Sequence, residues 1–299
     1  MFIRVIHKAV FAIVLTIAIV PAFAGNEKNY EYLALGDSVS FGLNPTILGQ
    51  IPPPTPEDFT GYPEIVAERK KLLKTNKAAN ASCPGETSAS FLVGPPDNGC
   101  MGNGPQGQPP FRTSIGLHTN YAGTQAQFAA AELASNKHIN LVTLSIGGND
   151  LLLLLGQCTA NPTPSFTECV RNLLPTVLQA YGANLAQILG TIRAQYKGPL
   201  ILVKYYSPST DPLFLQAVGA LNQVMMDVNT AGRFGVTFAD GFTAFRIAAT
   251  MLNHDPTNAD PCQAGLLIRV SATACDVHPS LAGQYVLATT VLLSLRDDD

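Results

Sequence analysis

Four short apolar runs punctuate the chain, each bounded by turn-forming residues. Tyr32-Leu33-Ala34-Leu35 stops at Gly36-Asp37, and Leu141 to Ile146 stops at Gly147-Gly148-Asn149-Asp150. Leu200 to Val203 follows the turn signal Lys197-Gly198-Pro199, and Val236 to Ala239 stops at Asp240-Gly241. Runs this short and mostly apolar predict strands buried on both faces. A weaker strand candidate spans Lys77 to Ala81. Between the runs, Pro63–Leu73, Thr124–Ser135, Glu168–Tyr196 and Pro212–Thr230 carry helix formers at helical spacing. After Pro279, Tyr285, Ala288, Leu292 and Leu295 recur at three- and four-residue steps, one apolar face of a last helix. Strands alternating with helices predict an α/β fold, a mostly parallel sheet covered on both faces.

Two stretches interrupt this rhythm. Residues 44–62 hold Pro45, Pro52, Pro53, Pro54 and Pro56, and residues 94–112 hold five prolines and five glycines. Long irregular connections are functional walls or surface insertions, and the sequence favours neither for these two.

The N-terminus reads differently from the rest. Arg4, His7 and Lys8 precede a run from Ala9 to Val20 that is apolar but for Thr16, followed by Pro21 and Ala22-Phe23-Ala24. This is the pattern of a secretory signal peptide cleaved near Ala24. The run of 12 residues is short of the about 20 needed to span a bilayer, which disfavours an uncleaved anchor. No cysteine follows the cleavage site, so lipid attachment there is not expected. Residues 25–299 are expected to form a single exported domain, periplasmic or extracellular.

Composition narrows the field further. Only 13% of residues are charged and 46% are apolar, with a formal charge of −3, so a large core is available and no basic footprint for nucleic acid is present. Six cysteines in an exported chain imply disulfides. Sequential pairing, Cys83–Cys100, Cys158–Cys169 and Cys262–Cys275, is favoured because each pair brackets a loop rich in Gly, Pro, Asn or Thr. Zinc is not expected, since no C-x-x-C spacing occurs and the histidines are scattered.

The chemistry-bearing residues follow the strands. Gly36-Asp37-Ser38-Val39-Ser40 leaves the first run, where a serine is held at the carboxyl edge of an open α/β sheet. Asn149, after the strongest run, is placed to donate its amide to an oxygen gaining negative charge. Asp276-Val277-His278-Pro279 sets an imidazole beside a carboxylate just before the last helix. A serine nucleophile needs such a base, because its hydroxyl is almost never ionised at neutral pH. Each motif alone is compatible with an ordinary turn or cap.

Together and in this order, the motifs resemble the blocks of the SGNH (GDSL) hydrolase family. The second block of that family resembles Asn80-Ala81-Ser82-Cys83-Pro84-Gly85-Glu86-Thr87. The resemblance covers essentially all of residues 25–299. It implies a three-layer α/β/α fold with a five-stranded, mostly parallel, flavodoxin-like sheet. It also implies that Ser38 attacks an ester carbonyl, that His278 is the general base, and that Ser38, Gly85 and Asn149 form an oxyanion hole. The spacing departs from the family in one place: Asp276 lies two residues before His278 instead of three, and Cys275 stands where the acid is usual. Asp276 or a main-chain carbonyl near Cys275 would then orient His278. No G-x-S-x-G elbow is present, which argues against the larger α/β-hydrolase group.

The implied function is a secreted serine esterase or lipase, acting without metal or cofactor on small-molecule or lipid esters. It would be a monomer that neither binds nucleic acid nor inserts stably into membranes. A carbohydrate O-acetyl esterase and a non-catalytic binding protein on the same fold are the alternatives. His118, His138 and the His254, Asp255, Asp260 group read as structural or solvated. Leu151 to Leu155 reads as core more readily than as acyl-pocket lining, and the sequon at Asn80 sits too close to a buried strand end to carry a glycan.

Overall fold

The computed structural model describes residues 29–73, 77–94, 99–103, 109–161 and 165–295. The signal-peptide expectation lies outside them. In chain order the elements are β1 (Tyr32–Gly36), α1 (Ser38–Phe41), α2 (Tyr62–Arg69), β2 (Ala78–Asn80), α3 (Ser88–Val93), α4 (Phe111–Ser114), α5 (Gln125–Ser135) and β3 (Leu141–Ser145). They continue with α6 (Gly148–Ala160), α7 (Phe166–Gln195), β4 (Leu200–Val203), α8 (Pro212–Gly232), β5 (Thr237–Ala239), α9 (Gly241–Leu252), β6 (Leu267–Arg269), β7 (Cys275–Pro279) and α10 (Leu281–Ser294).

The main sheet is parallel throughout, in the order β2-β1-β3-β4-β5. This is the flavodoxin-like order that the family resemblance implies. The apolar runs form its centre: every residue of β1, β3 and β4 is buried, as strands covered on both faces must be. On one face α7 packs against α3, α5, α6 and α8; on the other, α10 packs against α2 and α9. The result is a three-layer α/β/α fold.

Local signals set the helix ends. Thr124 caps α5 by accepting from the Gln127 N–H, Asp211 caps α8 from the Leu213 N–H, and Ser280 caps α10 from the Gly283 N–H. Such side-chain caps each contribute about 1 kcal/mol. α7 is the longest helix, 30 residues, and it carries Pro175 without interruption.

A second, two-stranded antiparallel sheet, β6-β7, stands apart from the first. No strand was expected at Asp276-Val277-His278-Pro279, which reads only as a segment before the last helix, because five residues with one buried side chain leave no apolar run to read. Disulfides join Cys83 to Cys100, Cys158 to Cys169 and Cys262 to Cys275. The last of these fastens β7 at its first residue.

Within residues 44–62, Phe59 packs with Phe41, Leu43 and Ile115 in a small apolar cluster of its own. Among the described residues no helix is long and apolar enough to cross a membrane.

Candidate active site

Strand order explains why residues distant in sequence meet. β1 and β3 are neighbours, with Gly36 opposite Ser145, so the turns that leave them rise side by side at the sheet's carboxyl edge. Here lies the switch point of an open α/β sheet, where ligands bind. Gly36 makes the first turn possible. Its φ is +141°, and a Cβ there would lie 2.2 Å from the Ser145 carbonyl oxygen, so no other residue fits.

Asp37 caps the one-turn helix α1 by accepting from the Val39 N–H at 3.0 Å. Ser38 is the first residue of that helix and is 5% exposed. Residues in a first turn have no intrahelical acceptor for their N–H, so the backbone of Ser38 is available as a donor. Asn149 lies on the first turn of α6, directly beyond β3. Its Nδ2 donates to the Glu86 carbonyl at 2.9 Å, which fixes the amide plane and leaves its second hydrogen unused by that bond.

His278 reaches the serine from β7. Its Nε2 lies 2.8 Å from Ser38 Oγ, although 240 residues separate them in sequence. The other ring nitrogen, Nδ1, is hydrogen-bonded to the Asp276 carboxylate. That same carboxylate accepts from the His278 backbone N–H at 3.0 Å. The unusual two-residue spacing follows from the strand. Side chains at i and i+2 share a face, so on β7 an acid two before the histidine stands beside its ring. Asp276 therefore occupies the position for which a main-chain carbonyl was the alternative.

Burial alone would raise the Asp276 carboxyl. The hydrogen bond from the His278 ring, the charge of that ring and two backbone N–H groups outweigh it and hold the group below the usual carboxylate range. Asp37 behaves in the opposite way. Burial pushes it up to about 6, against hydrogen bonds from Tyr205 and the Val39 N–H and the nearby His278 charge. The Tyr205 hydroxyl donates to the outer oxygen of Asp37, and the Tyr206 hydroxyl donates to the Val277 carbonyl at 2.6 Å. Motif reading passed over both tyrosines. Their position two and three residues beyond β4 was the available signal, because side chains at that edge of a parallel sheet face the crevice.

Gly85 stands on the loop after β2. Its φ is +79°, and a Cβ there would lie 2.6 Å from the Gly99 backbone, so glycine is required. Gly99 follows part of the second proline- and glycine-rich stretch, and Cys100 ties that segment to Cys83. The described part of this stretch thus backs the Gly85 loop. Asp150, the last residue of its motif, is used structurally: it accepts from the Ser88 N–H at 2.9 Å and the Ser88 hydroxyl at 2.6 Å, fastening α3 to α6.

Ser38, Asn149 and His278 open onto one apolar pocket of about 70 Å³. Leu151, Leu154, Val170 and Leu221 furnish its walls. The leucine run of α6 therefore serves both readings: Leu151 and Leu154 are buried and also face the pocket.

These features agree with what the chain is similar to. A sequence model of the GDSL-like lipase/acylhydrolase family matches residues 34–286. The chain belongs to that family. No curated protein is similar enough in sequence to count as a relative. Among solved structures, a phospholipase A1 from Streptomyces albidoflavus shares 19% identity at a TM-score of 0.52, covering 90% of this chain and 98% of that one. An acetylxylan esterase from Geobacillus stearothermophilus shares 18% identity at a TM-score of 0.51, covering 90% and 96%. An extracellular lipase from Streptomyces rimosus shares 18% at a TM-score of 0.50, covering 90% and 99%. At such identities the likeness shows the fold alone.

The remaining sequence candidates have structural uses. His118 Nε2 lies 3.0 Å from the Phe41 carbonyl, with its ring packed on Phe41. Asp255 and Asp260 accept from N–H groups of their own turns. Asn80 is buried and donates to the Ser40 carbonyl and to Glu64, so a glycan has no room there. Cys83, Glu86 and Cys100 are grouped as tightly as metal ligands. The two sulfurs are bonded to each other and offer no thiolate.

Proposed function

We propose that this GDSL hydrolase is an exported carboxylic ester hydrolase that acts by acyl transfer through Ser38. The observation that carries the proposal is the chain of contacts from Ser38 Oγ to His278 to Asp276 at the mouth of an apolar pocket. His278 Nε2 takes the hydroxyl proton as Ser38 Oγ attacks the ester carbonyl carbon. The carbonyl oxygen becomes an oxyanion, stabilised by the backbone N–H groups of Ser38 and Gly85 and the side-chain amide of Asn149. Collapse breaks the bond to the alcohol, which leaves with the proton from His278. Water, deprotonated by the same imidazole, then attacks the acyl-serine and releases the acid. Asp276 holds the ring and balances its positive charge. No metal or cofactor enters these steps.

Three disulfides belong to an oxidising compartment, which supports export after removal of a signal peptide near Ala24. The pocket's apolar walls support acyl esters longer than acetyl. Each buried methylene contributes about 0.8 kcal/mol, so two beyond acetyl are expected to raise kcat/KM about tenfold.

A p-nitrophenyl ester panel on the oxidised protein and its Ser38→Ala variant tests this reading. Hydrolysis that rises from acetate to longer chains and vanishes in the variant is expected. Activity confined to acetate and acetylated glycans would instead identify a carbohydrate O-acetyl esterase. Failure of the folded protein to react with a fluorophosphonate would identify a binding protein.

A further inference from the structure

An oxyanion hole assembled from three separate loops needs something to keep those loops in register. Ser38 follows β1, Gly85 follows β2 and Asn149 follows β3. The sheet fixes the first and third, since β1 and β3 pair along their full lengths. β2 is only three residues long, and its pairing with β1 ends at Asn80 opposite Ala34. Beyond it, Ala81 N–H still donates to the Ala34 carbonyl and Cys83 N–H to the Gly36 carbonyl. Gly36 therefore turns its backbone groups toward the side where β2 has run out.

One buried side chain fills that gap. Gln125, at the start of α5 and 1% exposed, accepts from the Gly36 N–H through Oε1. Its Nε2 donates to the Gly36 carbonyl at 3.0 Å and to Glu86 Oε2 at 3.2 Å. The amide thus pairs with Gly36 as an adjacent strand residue would, and passes the connection to Glu86. Glu86 is 1% exposed; its carboxylate also accepts from the Ser90 hydroxyl. Its main-chain carbonyl is the acceptor that orients the Asn149 amide, and its preceding residue is Gly85. A buried carboxylate is costly unless hydrogen-bonded, so its retention here calls for a reason beyond packing.

We propose that Glu86 and Gln125 are positioning residues that hold the three oxyanion donors at a common point. Glu86 aligns the Gly85 N–H and the Asn149 amide with each other, and Gln125 locks both to the turn that carries Ser38. The inference rests on the ester-hydrolase reading of the site. Neither residue touches the substrate.

The test compares Glu86→Ala, Gln125→Ala and Glu86→Gln with the native protein on p-nitrophenyl butyrate. It also measures inhibition by an alkyl trifluoromethyl ketone, whose adduct with Ser38 mimics the tetrahedral intermediate. Misplaced oxyanion donors are expected to lower kcat about 10- to 100-fold per folded molecule. KM should stay within about threefold, because ground-state binding uses the apolar pocket. Affinity for the ketone should fall in step with kcat. Glu86→Gln keeps an acceptor for Gln125 and a donor for the Ser90 oxygen, and should remain within about threefold of native. If an alanine variant does not fold, Glu86→Asp and Gln125→Asn, each shorter by one methylene, give the same comparison. Unchanged kcat, or a loss of kcat with unchanged ketone affinity, overturns the inference while the enzyme reading stands. A native protein inactive on the ester panel and unlabelled by fluorophosphonate overturns both.

Discussion

The two halves of the candidate site rest on different foundations. Ser38 rises from an interior strand of a five-stranded parallel sheet, on a turn whose neighbours are all buried. His278 stands on a two-stranded hairpin outside that sheet, on a strand with a single buried residue. The serine side is held by many backbone bonds. The histidine side is held by a few identifiable fasteners: the Cys262–Cys275 disulfide at one end of β7, the Ser280 cap at the other, and the Tyr206 hydroxyl on the Val277 carbonyl between them. A nucleophile must be aimed to a fraction of an ångström, and a rigid sheet edge does that. A base that takes and returns a proton can sit on a lighter support, provided that its orientation is fixed.

The contrast is sharpest when a member of each half is deleted. Ser38→Ala removes the hydroxyl proposed to form the acyl intermediate, and turnover is expected to fall at least about 10⁴-fold. Asp276→Ala leaves His278 tethered by the hairpin and still able to act, so a loss of about 10²-fold is expected. Both are read as kcat under saturating ester. Should Asp276→Ala prove as inactive as Ser38→Ala, the hairpin contributes nothing to orientation, and the ring depends on the carboxylate alone.

Protons should divide the two halves as well. Glu86, on the serine side, is pushed by burial up to about 7, against hydrogen bonds from Ser90 and Gln125 and the nearby Arg112. Asp37 rises to about 6, also through burial. A carboxyl raised on folding binds more protons in the native state, so its stabilisation is full below about pH 4 and is lost as pH climbs through the folded value. Asp276, held below its ordinary range, acts with the opposite sign: it stabilises above about pH 4, and that contribution vanishes as pH falls through its folded value. Denaturant unfolding should show Glu86→Gln gaining stability relative to the native protein between pH 4.5 and about 7.5. Asp276→Asn should lose stability relative to native at neutral pH and recover it in acid. Parallel pH curves for either variant and the native protein would remove the corresponding carboxyl from the account.

How much of this was readable in the sequence follows the same division. β1, β3 and β4 were legible because a strand buried on both faces is a nearly continuous apolar run, and their order was implied by the family resemblance. The turns that carry Ser38 and Asn149 were legible because glycines mark where such strands end. β7 was not read as a strand: Cys275-Asp276-Val277-His278-Pro279 has no apolar run, and its alternation of apolar and polar residues spans only five positions and ends in proline. The hairpin exists through a disulfide and a pairing partner, which local pattern does not encode. The supports of the oxyanion donors were hidden for a similar reason. Glu86 and Gln125 are ordinary polar residues in the sequence, and only the early end of β2 gives them a place in the centre of the molecule.

The lighter foundation should also be the easier to loosen without unfolding the sheet. Replacing Cys262 and Cys275 by alanine frees the first residue of β7, next to Asp276. Closing a loop with a sequence separation of 13 constrains the unfolded chain by about 3 kcal/mol, so the melting temperature should fall. A loss of kcat of about tenfold should accompany it at temperatures where the variant is fully folded. A lowered melting temperature with native kcat would mean that the disulfide stabilises the fold but does not hold the catalytic strand.

Tyr206→Phe probes the smallest of these supports. The ring is stacked on Phe245, with centroids 4.1 Å apart, and phenylalanine keeps that contact while losing the hydroxyl. The Val277 carbonyl then lacks its 2.6 Å donor, at a cost of about 1 kcal/mol. If that energy serves to orient β7, kcat should fall about fivefold with KM nearly unchanged, because the pocket wall keeps its shape. The corresponding change on the serine side, Ser40→Ala, removes a hydroxyl whose acceptors are the Leu35 carbonyl at 3.3 Å and the Tyr62 oxygen at 3.1 Å. There the sheet pairing of β1 already fixes the turn, so kcat should change less than twofold. Equal losses in the two variants would mean that the serine turn depends on single hydrogen bonds as much as the histidine hairpin does, and the two supports would no longer differ in kind.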